Sequence, residues 1–207
     1  MNSILLAILR LVFGSLALGA IGWQLTIQVR MGFSVVNFFS YFTNLSNLFA
    51  AFVLLHAALR FFTRREAFAS SDQVRAVSAV NMAVVGIVFT VLLRNEDLGS
   101  LLPWINFVLH YVMPCIIVLD WLLQAPARKL GAGQLLLVQV FPALYLAYVL
   151  VRGSRVGWYP YPFLNPANVG GYGGVAAYAI GIALSFLITA WSLLVLGNKL
   201  NRPAIPS

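Results

Sequence analysis

Residues 172–196 read YGGVAAYAIGIALSFLITAWSLLVL, a run without a charged side chain. A bilayer core about 30 Å thick takes roughly 20 apolar residues in helix, so this segment is long enough to cross it. Working back along the chain, further apolar runs have the same character: Gln134–Val151, Trp104–Leu123, Val74–Leu93, Phe38–Leu59 and Ile4–Ile27. Together they take up most of the sequence, and no soluble domain fits in the connections. The expected fold is all-α: a polytopic membrane protein, one bundle of about six transmembrane helices, with residues 1–207 as a single domain.

Composition agrees. Of 207 residues, 61% are hydrophobic and 9% charged, where a soluble domain is about a quarter charged. Mean hydropathy is +0.91. These values exclude a soluble globular domain, a disordered chain and a nucleic-acid-binding domain. The net charge of +8 falls between apolar runs, so the bilayer explains it better than a polyanion partner. One cysteine, Cys115, allows neither an internal disulfide nor a thiolate cluster. Ala17-Leu18-Gly19-Ala20 imitates the end of a signal peptide. The apolar stretch continues past it to Ile27, however, and Arg10 interrupts it, so the first run reads as a retained span.

Loop charges set the expected orientation. Arg60, Arg64, Arg65, Arg75, Arg128, Lys129, Lys199 and Arg202 collect on one side, and Arg30, Arg94, Arg152 and Arg155 on the other. The bias puts both termini in the cytoplasm and the connections 28–37, 94–103 and 152–171 outside. Trp23, Trp104, Trp158, Tyr159 and Tyr161 would form an outer aromatic belt, and Trp121 and Trp191 an inner one. The last outer connection, Val156-Gly-Trp-Tyr-Pro-Tyr-Pro-Phe-Leu-Asn-Pro166, is stiff and non-helical because proline fixes φ. It reads either as an interface anchor or as a lid over an outward-facing cavity. The glycines after it, Gly170, Gly171, Gly173 and Gly174, let the next helix start close to its neighbours.

Polar groups at membrane depth need a partner or a purpose. The second run opens with Ser40-Tyr-Phe-Thr43-Asn44-Leu-Ser-Asn47, and the fourth carries Asn106 and His110 one turn apart, followed by Pro114. Both runs pass from outside to inside. Thr43 and His110 each lie roughly 8–9 Å below the outer boundary at 1.5 Å per residue. A hydroxyl and an imidazole therefore reach one level, and they can meet if their helices are neighbours. Such a pair suits nucleophilic acyl transfer, the imidazole taking the hydroxyl proton. Equally, a threonine in a membrane helix bonds the carbonyl one turn back, and a histidine there bridges helices. The residues alone leave both readings open.

Other groups read more plainly. His56 lies about 20 Å deeper than Thr43 and reads as a residue of the inner interface. Cys115 reads as packing, Asn81 as a helix–helix hydrogen bond, and Arg10 as a side chain snorkelling to the cytoplasm. Asp120, about 15 Å below His110, is too deep to orient it and reads as an ion pair or an inner-surface residue. Glu96 and Asp97 lie near the mouth of the candidate site as solvated charges or as groups that orient His110. No metal-ligand spacing, nucleophile elbow or nucleotide-binding loop occurs, so no cofactor is implied.

Three stretches resemble one family. They are Tyr41-Phe-Thr43-Asn-Leu-Ser-Asn47-Leu48, His110-Tyr-Val-Met-Pro114 with Asp120-Trp121 after it, and Trp158-Tyr-Pro-Tyr-Pro-Phe163. In order and spacing they are similar to the androgen-induced membrane protein family, whose members include integral membrane hydrolases of animals and bacterial relatives. The tyrosine-proline loop looks like the bacterial branch. The resemblance implies a hydrolase of fatty-acid esters of hydroxy fatty acids or a related lipid ester. Thr43 would be the nucleophile and His110 its partner. Asn44, Asn47, Asn106, Tyr159 and Tyr161 are the candidate substrate-binding residues. The implied partners are a lipid ester and membrane lipids, and the site would lie in a bacterial inner membrane. The alternatives are a transporter and a noncatalytic lipid-binding protein.

Overall fold

A computed structural model describes residues 3–63, 72–97, 99–127 and 129–200. Arg64, Arg65, Arg128 and Arg202, which carry part of the charge bias, lie outside the described residues. Among the described residues six long helices form the bundle: α1 (Ser3–Arg30), α3 (Phe42–Thr63), α4 (Asp72–Leu93), α5 (Pro103–Leu123), α6 (Gly133–Val156) and α7 (Tyr172–Leu200). A short α2 (Val35–Phe39) precedes α3. Each long helix is long and apolar enough to span a membrane.

Helix α4 is the centre. It packs on α3, α5, α6 and α7, while α1 lies against α3. Its buried residues, among them Arg75, Ala79, Val80, Asn81 and Met82, run most of the way round the helix. Between α1 and α3 the packing is by small residues: Ala7, Ala17 and Ala20 face inward, as do Ala50, Ala51 and Ala58. A Cβ on Gly14 would sit 2.7 Å from Cγ of Leu55, so the helices are closer than a larger residue permits. The outer surface is apolar. Ile180, Leu184, Ile188 and Trp191 lie along one exposed stripe of α7, as a lipid-facing helix requires.

The second span starts later than hydropathy suggests. Phe38 and Phe39 belong to α2, which Ser34 caps by accepting the Asn37 N–H. The chain breaks at Ser40–Tyr41 and α3 begins at Phe42. Thr43 is therefore in the first turn of its helix rather than a turn and a half into it, and Ser40 does not share its helix face.

The end of the bundle remote from Thr43 is locked by charge. Asp120 is buried and pairs with two arginines: Arg10 Nε at 2.6 Å and Arg75 Nη2 at 3.3 Å. Arg10 also donates to the Gln124 side chain at 2.6 Å, and Arg75 to the Gln124 carbonyl at 2.8 Å. Arg75 lies over the Trp121 ring, 5.5 Å from its centre. Several expectations are corrected here. Arg10 does not snorkel, because a counter-charge lies within the bundle. Arg75 is not a loop charge. Trp121 is a core residue, 1% exposed, donating to the Leu193 carbonyl, and not part of an interfacial belt. Asn81 is buried with neither amide atom hydrogen-bonded among the described residues, so it does not bridge helices. Cys115 is exposed on the apolar surface. His56 is half-buried with its ring against Phe52.

Removing one partner of a buried ion pair strands the other charge and costs about 3–5 kcal/mol. Asp120→Ala strands two arginines, so it is expected to lower stability by at least that amount. A thermal melt of the purified protein in detergent checks this, and a wild-type melting temperature would contradict it.

Candidate active site

The fourth span carries a built-in irregularity. Pro114 has no N–H and its ring crowds the carbonyl four residues back, which belongs to His110. The helix widens in response: Val108–Val112 form a π-helical turn, closed by the Met113 N–H bonding the Val108 carbonyl. The Leu109 carbonyl then loses both neighbours. Met113 N–H is taken, and Pro114 has none to give. Asn47 of α3 fills the gap, its Nδ2 donating to the Leu109 carbonyl at 3.1 Å and to the Thr43 carbonyl at 2.9 Å. One amide thus ties the two helices beside the residues of interest.

There Thr43 Oγ1 lies 3.3 Å from His110 Nε2. Nδ1 of the same ring is 3.1 Å from the Asn106 carbonyl. A carbonyl only accepts, so Nδ1 carries the proton of the neutral ring. Nε2 is left with its lone pair facing the threonine hydroxyl, as a general base requires. Phe89 stacks on the imidazole, centroids 3.9 Å apart and planes at 23°. It begins a second π-helical turn, Phe89–Leu93 of α4. Gly86, one turn away, keeps the approach open: a Cβ there would meet Pro114 at 3.2 Å.

Two cavities meet at Thr43. One, about 200 Å³, is apolar and runs between α4, α6 and α7, lined by Val88, Pro142, Leu146, Ile182 and Phe186. The other, about 380 Å³, is more polar and leads to the loop end of the bundle past Gln24, Asn37, Glu96, Ser100 and Trp158. Thr43, Phe89, Leu93 and Tyr161 line both, so the threonine hydroxyl stands at the junction. His110 and Asn44 line the polar one.

The aromatic loop builds much of the wall. Phe163 and Leu164 are buried. Tyr161 stacks on Phe163 at 5.2 Å and presents its hydroxyl to Thr43. The loop is thus folded over the site as a lid is, and Tyr161 is not part of an outer belt. Gly174 lies so close to the Val169 carbonyl that a Cβ has no room. Its smallness serves the loop's own return, not the neighbouring helix.

The other candidates fall into place as follows. Asn44 donates to the Phe38 carbonyl at 2.7 Å. Asn47 is a bridge between helices, its donor group committed to two carbonyls. Asn106 contributes its backbone carbonyl. Tyr159 packs over Gly153 and lines neither cavity. Asp97 caps its own turn by accepting the Gly99 N–H at 2.8 Å. Neither it nor Glu96 orients His110, whose Nδ1 pairs with the Asn106 carbonyl. Phe89 and Gly86 were not singled out in the sequence. The one signal for them is depth, since α4 returns antiparallel and brings Phe89 level with His110.

A multi-pass helical membrane protein with a buried threonine–histidine pair, its threonine at the junction of two cavities, is the class this arrangement defines. The sequence profile described as FAR-17a/AIG1-like protein matches residues 37–202. The chain belongs to that family, the androgen-induced gene family that the motifs resemble. No curated protein and no solved structure matches it.

Asn47→Ala leaves the Leu109 carbonyl without its donor, while the Thr43 carbonyl keeps its helix bond from the Asn47 backbone N–H. An unsatisfied buried acceptor costs about 1–3 kcal/mol, so a lowered melting temperature in detergent is expected. An unchanged melt would show that the bridge carries no weight.

Proposed function

We propose that this chain is an integral-membrane ester hydrolase, one six-helix domain whose nucleophile is Thr43 and whose general base is His110. The observation that carries the reading is the 3.3 Å contact between Thr43 Oγ1 and His110 Nε2, with the Asn106 carbonyl fixing the tautomer. Family membership and the two cavities support it. The apolar cavity suits an acyl chain, and the polar one suits the alcohol half of the ester and the water that follows it. The substrate is a lipid ester, of the fatty-acid ester of hydroxy fatty acid type or a relative, reaching the site laterally from the membrane.

The chemistry runs in two halves. Nε2 takes the Thr43 proton as Oγ1 attacks the ester carbonyl carbon. The tetrahedral adduct collapses, the carbon–oxygen bond to the alcohol breaks, and the alcohol leaves with the proton from Nε2. Water then enters from the polar side, gives a proton to Nε2, and attacks the acyl-threonine. The acid leaves and the proton returns to Oγ1. No nucleic acid has a part in this.

Sidedness follows from charge. Even with Arg75 set aside as a buried residue, the basic bias favours both termini in the cytoplasm and the Thr43 end outside, in a bacterial inner membrane.

Purified protein in micelles is expected to hydrolyse a long-chain ester. Thr43→Ala and His110→Ala each lower turnover by at least about 10³-fold, while Thr43→Ser keeps a measurable rate. Turnover falls on the acid side, where Nε2 takes up a proton and can no longer accept one. Equal rates in wild type and both alanine variants would remove this site.

A further inference from the structure

The threonine–histidine pair moves a proton but does nothing for the negative charge that develops on the carbonyl oxygen during attack. Oxyanion-stabilising donors are the largest single contribution in many acyl-transfer sites. Helix backbone amides deep in a span are already bonded, so an α3 starting at Phe38 would offer none near Thr43. The break at Ser40–Tyr41 changes this. In the first turn of α3 the Thr43 N–H has no carbonyl behind it. It donates instead to the Tyr161 hydroxyl oxygen at 3.3 Å. That oxygen is also 3.5 Å from Thr43 Oγ1.

The phenol has one hydrogen to place. Its oxygen accepts from Thr43 N–H and lies 3.5 Å from Oγ1, so its own O–H can turn to the space beside Oγ1, where both cavities meet. The neighbouring tyrosine, Tyr145, gives its hydroxyl hydrogen to the Ser40 carbonyl at 2.8 Å and meets Tyr161 with its oxygen, so it has no hydrogen left for an oxyanion. Tyr161 is held firmly. It sits extended, φ −135° and ψ 143°, between Pro160 and Pro162. Pro162 confines the backbone of the residue before it. Its ring stacks on Phe163, with planes at 6°, and meets Tyr41 edge-on at 5.7 Å. Burial raises the phenol above its ordinary value, so it remains a neutral donor.

We infer that Tyr161 is a third catalytic residue, the donor that stabilises the oxyanion, with the Thr43 backbone N–H aiming its hydroxyl. This rests on the Thr43/His110 reading. As Oγ1 bonds to the carbonyl carbon and Nε2 takes its proton, the carbonyl π pair moves onto oxygen and receives the Tyr161 O–H hydrogen bond. When the carbonyl re-forms, the bond to the leaving alcohol breaks and the alcohol takes the proton from Nε2. The phenol keeps its own proton throughout.

Tyr161→Phe tests this in the full-length protein in micelles, since it keeps the ring and its stacking. Expected is a fall in kcat of about 10²–10³-fold with KM little changed. A long-chain trifluoromethyl ketone, which forms an oxyanion adduct on the nucleophile, loses about 10²-fold in potency. The matching secondary alcohol, which forms none, binds as before. Equal loss for ketone and alcohol, or no loss for either, overturns the assignment. If Tyr161→Phe melts early, fluorotyrosine placed at 161 replaces it. A more acidic phenol moves the alkaline limb of kcat to lower pH, and an unmoved limb overturns the assignment too. The underlying reading fails separately: it fails if wild-type hydrolysis does not depend on Thr43.

Discussion

A carbonyl inside a bilayer must find a donor, and Pro114 withholds one. Much of the site follows from that constraint. The helix widens around Val108–Val112, the Leu109 carbonyl is released, and Asn47 of the neighbouring span takes it up. The same amide holds the Thr43 carbonyl. What brings the threonine and the histidine together is thus a backbone debt in one helix settled by a side chain of another. π-helical turns of this kind occur often at functional sites, and here two face each other, with Phe89 of α4 stacked on the imidazole.

The rest of the bundle serves to keep that arrangement fixed. At the far end, Asp120 gathers Arg10 and Arg75, so α1, α4 and α5 are joined by charge. At the near end the loop from Gly157 to Gly171 closes over the site with prolines on either side of Tyr161. Between them the two cavities divide an ester into its natural halves. An acyl chain has an apolar slot, the alcohol and water have a polar one, and the reacting hydroxyl stands where they join.

Hydropathy made the spans legible, because six apolar runs of bilayer length leave little room for another fold. It misplaced the start of the second one, since Phe38 and Phe39 are as apolar as the helix that follows and a break at Ser40–Tyr41 costs nothing in hydropathy. That error hid the Thr43 N–H, which no helix carbonyl takes and Tyr161 accepts instead. Equal depth of Thr43 and His110 was legible from helical rise. Their contact was not, because it depends on which helices are neighbours, and Asn47 reads in the sequence as one more polar residue. Pro114 was visible, but not its consequence for Leu109. Charges in apolar runs were legible as costly. Arg10 and Arg75 read as features of an interface and a loop and Asp120 as an ion pair without a named partner, and only the packing of three helices shows them as one cluster.

Covalent capture of the nucleophile tests the central claim most directly. A fluorophosphonate probe on an activated hydroxyl forms an oxygen–phosphorus bond and releases fluoride. With the purified protein, the account predicts a label mapped by mass spectrometry to Thr43 and absent from His110→Ala, because the hydroxyl is inert without its base. A label on another residue, or one on Thr43 that survives loss of the imidazole, would contradict it.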